Sequence, residues 1–322
     1  MAKVKDLLIM SAIAATPPAT GTWTLMTTLT GGADAVVANP STGLVVVSAG
    51  SGFYRSTDRG ATWSSAVTGN TSRTGGLIGT THTFMGDSTK SIITTTNGST
   101  LTTNTYVTPN VLYDRLTGGP TFGIAGIIGF GQGASVTPPS TITDISTAIS
   151  TGFSPQTYNG TSIYSTIDSR FVLAGGGGTY VTTTNGTTYT KYTGNTAEWR
   201  SVTQTSTGRY IVCDTNEIIW YNDNPFGNPT GWIQAANVSA VTAFTWGVGN
   251  VMAATNDGTI AILGARQTNA TQFLVSADNG LNWNLATALG FSSTFVDEVV
   301  YAGSNTFIAI VDNGQVWRGV FA

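Results

Sequence analysis

Charged residues are scarce in this chain. Asp, Glu, Lys and Arg together make up 9% of its 322 residues, against roughly 25% in an average soluble domain. The formal net charge is -3, and the 13 Lys and Arg are dispersed without any block of like charge. A nucleic-acid-binding surface needs clustered cations to neutralise phosphates, so we expect no nucleic-acid partner. Weak repulsion between copies favours a place in a homo- or hetero-oligomeric assembly.

The residue types of most catalytic and metal sites are also rare. There is one cysteine, Cys213, and one histidine, His82. They exclude an intrachain disulfide and an ordinary zinc site, and they leave a Ser-His-Asp arrangement only if His82 is the base. We interpret Cys213 as a buried strand residue and His82 as a loop or strand-edge residue. The three glutamates, Glu198, Glu217 and Glu298, are interpreted as strand-end or turn residues. We therefore predict no catalytic residue, metal ligand or cofactor.

Long hydrophobic runs are absent, and none approaches the roughly 20 residues of a membrane-spanning helix. The strongest apolar run, Leu7–Ala15, follows Lys3 and Lys5 and resembles a short signal peptide, but Asp6 interrupts its start. We predict that residues 1–20 form an N-terminal arm and residues 21–322 one folded domain. The residues expected to attach the arm to a neighbouring subunit are Leu7, Leu8, Ile9 and Met10.

A repeated turn is the clearest motif present. Two segments, 56–63 and 276–283, read S-x-D-x-G-x-x-W after an apolar strand. Glycine accepts the positive φ of a tight turn, and a Ser or Asp before it can bond free backbone N–H groups. Weaker copies at 94–101 and 182–189 keep Asn-Gly and a large final residue, with Thr in the Asp position. The eight defining residues are Ser56, Asp58, Gly60, Trp63, Ser276, Asp278, Gly280 and Trp283.

These turns resemble the Asp-box, or BNR, hairpin of the sialidase-type β-propeller superfamily. The resemblance implies a propeller in which each box is a structural fastener away from any active site. The Arg-Ile-Pro motif that sialidases carry in an early blade does not occur here. The resemblance therefore implies the fold and gives no catalytic residue.

A second pattern, strand-turn-strand, sets the number of blades. Short apolar strands separated by Gly and Asn turns at this spacing are typical of a propeller. We predict an all-β, seven-bladed β-propeller. The long intervals Gly129–Gly160, Asn222–Gly231 and Ala265–Gln272 are interpreted as insertions, where function is expected. The seven copies span residues 34–47, 76–85, 111–124, 162–173, 200–212, 239–252 and 297–309.

The two ends of the chain are predicted to close the ring. Residues 307–317 align with 210–220, so the chain ends after the third strand of its last blade. Residues 22–26 resemble 62–66 and supply the missing fourth strand, which removes an open sheet edge. Trp23 and Trp317 mark this closure.

The function is predicted from composition and from the arm. A chain rich in Thr, Ser and Gly, poor in charge and carrying an apolar arm resembles bacteriophage virion proteins. We predict a non-enzymatic tail, fibre or capsid-decorating protein of the virion. Its arm would bind other virion subunits, and its loops would serve receptor binding, with a host cell-surface glycan as the expected ligand. Two alternatives stay open: a sialidase-like glycan hydrolase, and a secreted bacterial lectin or adhesin. Arg170, Arg200 and Arg209 are candidates to face the propeller channel.

Overall fold

A computed structural model describes most of the chain from Gly21 onward. The predicted arm, including Leu7 to Met10, lies outside the described residues. The described residues are 21–50, 52–70, 72–86, 90–106, 113, 115–126, 133–138, 141–144, 158–194, 198–214, 216, 218–236, 244–245, 252–255, 260–267, 270–286, 296–311 and 314–321.

Seven antiparallel sheets, the blades, contain every strand of the described residues. Blade 7 combines β1 (Gly21–Thr28) with β27 to β29 from the C-terminal end. Blades 1 to 3 are β2 (Ala35–Asn39), β3 (Leu44–Ala49), β4 (Gly52–Ser56) and β5 (Val67–Thr68); β6 (Ser72–Ile78), β7 (Thr81–Gly86), β8 (Ser91–Thr95) and β9 (Thr102–Thr105); and β10 (Arg115–Gly118), β11 (Gly123–Gly126), β12 (Gly133–Thr137) and β13 (Thr141–Asp144).

The second half of the chain continues the same order, innermost strand first. Blades 4 to 7 are β14 (Tyr158–Ser165), β15 (Arg170–Gly175), β16 (Thr179–Thr183) and β17 (Thr190–Thr193); β18 (Trp199–Gln204), β19 (Tyr210–Asp214), β20 (Ile219–Asn222) and β21 (Ile233–Gln234); β22 (Phe244–Thr245), β23 (Met252–Ala254), β24 (Ala261–Gln267), β25 (Ala270–Ser276) and β26 (Asn284–Leu285); and β27 (Val296–Gly303), β28 (Thr306–Val311) and β29 (Gln315–Phe321). A single 3₁₀ turn, Gly176–Gly178, joins β15 to β16.

The predicted seven-bladed propeller and its closure are confirmed. Strand β1 pairs antiparallel with β29, so that Trp23 lies opposite Gly319 and Leu25 opposite Trp317. Trp23 is 3% exposed and stacks on Phe273 of blade 6 at 4.0 Å between ring centroids. A side chain at Gly319 would collide with the Trp23 ring, since an added Cβ would lie 2.8 Å from it. The closing strand therefore joins both its own blade and the neighbouring one.

The core lies within and between the blades. Strands β2 and β3 are buried along their whole length, as expected for sheets covered on both faces by neighbouring sheets. Cys213 is fully buried in β19, as predicted, and burial raises the pKa of its thiol to about 12. The prediction for His82 was wrong in detail: it is fully buried in β7, an interior strand. Its Nε2 lies 3.2 Å from the Leu44 carbonyl of blade 1, and desolvation lowers the pKa of its imidazole.

Two blades differ in register from the sequence prediction. In blade 3 the inner strand is β10, a few residues beyond the predicted 111–113, and the supposed insertion 129–160 contains strands β12 and β13. In blade 6, Met252 belongs to the inner strand β23 rather than to the second strand, which is β24. Residues 239–241, the predicted inner strand, lie outside the described residues. Apolar periodicity finds strands but does not distinguish first from second when both are apolar.

The interval Ala265–Gln272 is also an extended hairpin rather than an irregular insertion. Strands β24 and β25 pair without a break from Ala261 opposite Ser276 to Gln267 opposite Ala270. The short strand β22 adds to this extension, with Phe244 opposite Gln267. Blade 6 therefore projects further than its neighbours on the side where β24 leads into β25.

Candidate functional site

The turn 56–63 is fastened by its own side chains. Ser56 Oγ accepts a hydrogen bond from the Gly60 N–H at 2.7 Å and donates to Asp58 Oδ1 at 2.7 Å. Asp58 in turn accepts from the Thr62 N–H at 2.8 Å and from Thr62 Oγ1 at 2.6 Å. Burial, which raises the carboxyl pKa, is outweighed by the hydrogen bonds from Thr62 and Ser56, so the Asp58 pKa falls to about 2. Trp63 Nε1 closes the turn on the Gly60 carbonyl at 3.1 Å.

The turn 276–283 repeats this geometry bond for bond. The Gly280 N–H donates to Ser276 Oγ at 2.8 Å, and Ser276 Oγ donates to Asp278 Oδ1 at 2.9 Å. Asn282 replaces Thr62 as the donor to both oxygens of Asp278. We call these two segments, 56–63 and 276–283, the full box turns. Both consume their polar groups internally, which leaves them little chemistry to offer a ligand.

The two weaker copies keep the acidic position's role in a different place. In 94–101 the Gly98 N–H donates to Thr95 Oγ1 at 2.8 Å, and Asn97 Oδ1 accepts from the Ser99 and Thr100 N–H groups. Asn97 therefore does the work of Asp58, and Thr95 that of Ser56, in a turn one residue shorter. The sequence alignment, which placed Thr in the Asp position, was wrong by that one residue. Thr183 and Asn185 repeat the arrangement in 182–189.

Arginines fasten three of these turns to the preceding blade. Arg318 Nε of blade 7 donates to the Arg59 carbonyl at 2.9 Å. Arg55 of blade 1 donates to the Asn97 carbonyl at 3.1 Å, and Arg209 of blade 5 to the Asn279 carbonyl at 3.3 Å. Each acceptor is the residue just before the turn glycine, where the backbone carbonyl points toward the preceding blade. One face of the propeller, the box-turn face, is thus stabilised around the ring by the same contact.

The opposite face carries a polar depression at the mouth of the central channel. It has a volume of about 460 Å³. Five charged residues from the beginnings of four inner strands line it, and none of its lining residues has a large apolar side chain. We call it the charged depression. Its charged lining residues are Asp34, Arg73, Arg115, Asp297 and Glu298.

Glu298 connects the charged depression to the channel wall. Its carboxylate is 8% exposed, and its Oε2 accepts from the Val36 N–H of blade 1 at 2.9 Å. A similar contact joins blades 2 and 3, where the Leu116 N–H donates to Thr74 Oγ1 at 2.9 Å. Inner strands have no further strand on the channel side, so side chains of the neighbouring blade satisfy their N–H groups. The floor of the depression is therefore held rigid.

The channel below is mainly apolar and leads to a different mouth on the box-turn face. A cavity of about 260 Å³ is lined by inner-strand residues such as Val37, Leu116 and Met252. The far mouth, about 230 Å³, is lined by Pro40, Tyr164, Ile167 and Tyr301 among others. The two ends of one channel therefore differ in chemistry: charged and hydroxyl-rich on one side, aromatic and aliphatic on the other.

The arginines singled out from the sequence do not line the charged depression. Arg170 lies over the Phe226 ring at 4.4 Å, and Arg209 forms an ion pair with Asp223 at 2.5 Å. Both contacts involve the segment 222–231, which packs on the box-turn face. Arg200 pairs with Glu198 at 3.3 Å, and Glu217 lies outside the described residues.

The charged residues that line the depression were not identified from the sequence. They share a signal that could have found them: each lies at, or next to, the first residues of an inner strand, at the same end of its blade. Asp34 precedes β2, Arg73 and Arg115 begin β6 and β10, and Asp297 begins β27. In a chain with 9% charge, recurrence at one end of a repeat marks one place in space. Among the described residues, no group of three His, Cys, Asp or Glu is placed to hold a metal ion.

Comparison with known proteins supports the fold and nothing finer. No protein-family model matches the chain, and no curated protein matches it in sequence. Solved β-propellers resemble it in structure. YCF48 bound to D1 peptide is 13% identical, with a TM-score of 0.66 over 93% of this chain and 96% of that one. Virginiamycin B lyase from Staphylococcus aureus, in complex with quinupristin, is 10% identical, with a TM-score of 0.68 over 94% and 100%.

A third neighbour has another role again. The β-propeller domain of Cps50 (Swd1) from Myceliophteria thermophila is 9% identical, with a TM-score of 0.67 over 94% of this chain and 100% of that one. Identities this low show a shared propeller architecture. In the part of the chain that the structure describes, no helix is long and apolar enough to cross a membrane.

Proposed function

We propose that this chain is a non-enzymatic interaction protein of a bacteriophage virion, a tail, fibre or capsid-decorating propeller of Asp-box descent. In this proposal the N-terminal arm attaches it to other virion subunits, and the charged depression faces outward to bind a host cell-surface glycan. The observation that carries the binding role is the asymmetry of the two faces. The box-turn face uses its polar groups internally, whereas the opposite face concentrates charge in a concave site of a size suited to a small ligand.

Composition supports the virion location. Low charge favours assembly over free solution, and the arm Leu7–Met10 is apolar enough to pack against a neighbour. YCF48 with its D1 peptide is a propeller of similar shape that serves as a binding protein, which supports a binding role for this architecture.

The location is tested by particle incorporation. Phage particles would be assembled with the full chain or with a full-length variant in which Leu7, Leu8, Ile9 and Met10 are all replaced by Ser. We expect the variant to fold with an unchanged melting temperature and to be lost from purified particles. Equal incorporation of both chains would refute attachment through the arm. Absence of the unaltered chain from the particles would refute the virion location.

A glycan hydrolase is the second candidate, favoured by the adjacent carboxylates Asp297 and Glu298 in a depression that also holds two arginines. Glycosidases use two carboxylates, one as acid and one as base or nucleophile. Against this, Glu298 is mostly buried and already accepts the Val36 N–H. Reducing-end release from host polysaccharide by the unaltered protein, abolished in Asp297→Asn, would replace the binding role with an enzymatic one.

The third candidate, a secreted lectin or adhesin, differs in its N-terminus. Mass spectrometry of the protein from its native source would show a start at Met1 or Ala2 for the virion protein. A start close after Ala14 would indicate a cleaved signal peptide and a secreted protein.

A further inference from the structure

The charged depression contains a buried hydroxyl without a partner. Ser72 is 1% exposed and borders the depression, and its Oγ has no hydrogen-bond partner among the described residues. A buried polar group left unpaired costs about 1–3 kcal/mol, so native structures rarely keep one without reason. A water or a ligand hydroxyl in the depression would satisfy it.

The charges of the depression define what such a ligand can be. Two guanidinium groups, Arg73 and Arg115, donate hydrogen bonds, while the carboxylates of Asp34, Asp297 and Glu298 only accept them. With three carboxylates against two arginines, the site is formally net negative. An anionic ligand is therefore disfavoured, and a ligand must supply both donors and acceptors.

Shape and lining narrow the choice further. The depression holds about 460 Å³, and its lining is Gly, Ala, Ser, Thr and charged residues, without an aromatic ring. A flat apolar ligand would find no surface to stack on. A hexose ring carries several hydroxyls, each both donor and acceptor, and its adjacent pairs suit carboxylate and guanidinium forks.

We propose that the charged depression binds one uncharged hexose unit of a glycan, with Ser72, Arg115 and Asp297 as ligand-contacting residues. The proposal rests on the binding role suggested above and is independent of the virion location, because it concerns the isolated protein. It specifies a neutral sugar recognised through its hydroxyls, and it excludes sugar acids as preferred ligands.

The experiment is a titration of the purified full chain with methyl glycosides of glucose, galactose and mannose, followed by saturation-transfer NMR. Methyl glucuronide serves as the anionic probe. We expect saturable binding of at least one neutral methyl hexoside and weaker binding of the glucuronide. No saturable binding by any of the three, or tighter binding of the glucuronide, would overturn the proposal.

Variants place the binding in the depression. Asp297→Asn and Ser72→Ala should each weaken binding of the neutral glycoside by about 3- to 10-fold, the equivalent of a lost hydrogen bond. Arg115→Lys keeps the charge and removes the fork, and should weaken it similarly. Arg200→Ala is the matched control, since Arg200 also begins an inner strand but does not line the depression.

The outcomes separate the hypotheses. Loss of binding in Arg200→Ala to the same extent, or unchanged binding in both Asp297→Asn and Ser72→Ala at an unaltered melting temperature, would overturn the assignment of the site. Should Ser72→Ala fail to fold, Arg115→Lys and Asp297→Asn decide the question. A protein that binds the glycoside but is absent from particles would retain this inference and refute the virion location.

Discussion

The two faces of this propeller treat their polar groups in opposite ways. On the box-turn face, Ser56, Asp58 and Gly60 bond one another, and an arginine of the preceding blade bonds the same turn. On the other face, charged side chains gather around a depression, and Ser72 is left without a partner among the described residues. The difference teaches that a polar repeat can be structural where it recurs in register and available for binding where its charges converge.

The largest loss of stability is expected on the box-turn face, from Trp283→Ala. Trp283 is 1% exposed, and its Nε1 donates to the Gly280 carbonyl. Truncation should lower the free energy of unfolding by about 3–5 kcal/mol, through lost burial and the resulting cavity. Trp63→Ala is the matched control and should cost less, because Trp63 is only half-buried. Denaturant unfolding measures both; equal losses would show that burial does not rank these turns.

Glu298 lies at the boundary between the two roles, and Glu298→Ala should lower stability by about 1–3 kcal/mol. Its removal leaves the buried Val36 N–H without an acceptor. Glu198→Ala, which removes a surface carboxylate paired with Arg200, should change stability by less than about 0.5 kcal/mol. If the two variants melt at the same temperature, the Glu298 contact does not hold blades 7 and 1 together.

A pair of buried serines compares the faces directly. Ser56→Ala removes the acceptor of the Gly60 N–H and should cost about 1–2 kcal/mol. Ser72→Ala removes a hydroxyl with no described partner and should leave stability unchanged or slightly raised. Thermal unfolding of the two variants in parallel tests this; the reverse order would contradict the division between a structural and a binding face.

The smallest expected effect is the acid response of Asp58. Its pKa is lowered from 3.8 to about 2 in the folded chain. The folded state therefore binds its proton less readily, and its contribution to stability is complete above about pH 3.8 and lost as pH falls to about 2. Because Asp58 is substantially solvated, this contribution should stay below about 1 kcal/mol. Unfolding between pH 5 and 2 should show a shallower decline in Asp58→Asn than in the unaltered chain; parallel curves would mean that Asp58 does not titrate with folding.

Sequence predicted the fold further than the site. Apolar strands between Gly and Asn turns repeat locally, so the blade count and the pairing of β1 with β29 near Trp23 follow from period alone. The charged depression depends on Asp34, Arg73, Arg115 and Asp297, which lie up to 263 positions apart and meet only when the ring closes. His82 was misplaced for a related reason: its environment is set by Leu44 of another blade.

The degenerate box turns show the same limit at short range. Thr95 and Asn97 bond the turn as Ser56 and Asp58 do, but one residue is missing between Asn97 and Gly98. An ungapped alignment therefore pairs the wrong residues, although the chemistry is retained. Hydrogen-bond function, rather than position, is what this repeat preserves.

The most direct test of the division between the faces is hydrogen–deuterium exchange of the full chain, with and without a saturating mixture of methyl glucoside, galactoside and mannoside. Binding at the charged depression predicts protection in peptides covering 31–34, 72–74 and 297–298, and no change in 56–63 or 276–283. Protection confined to the box turns, or no protection anywhere, would contradict it.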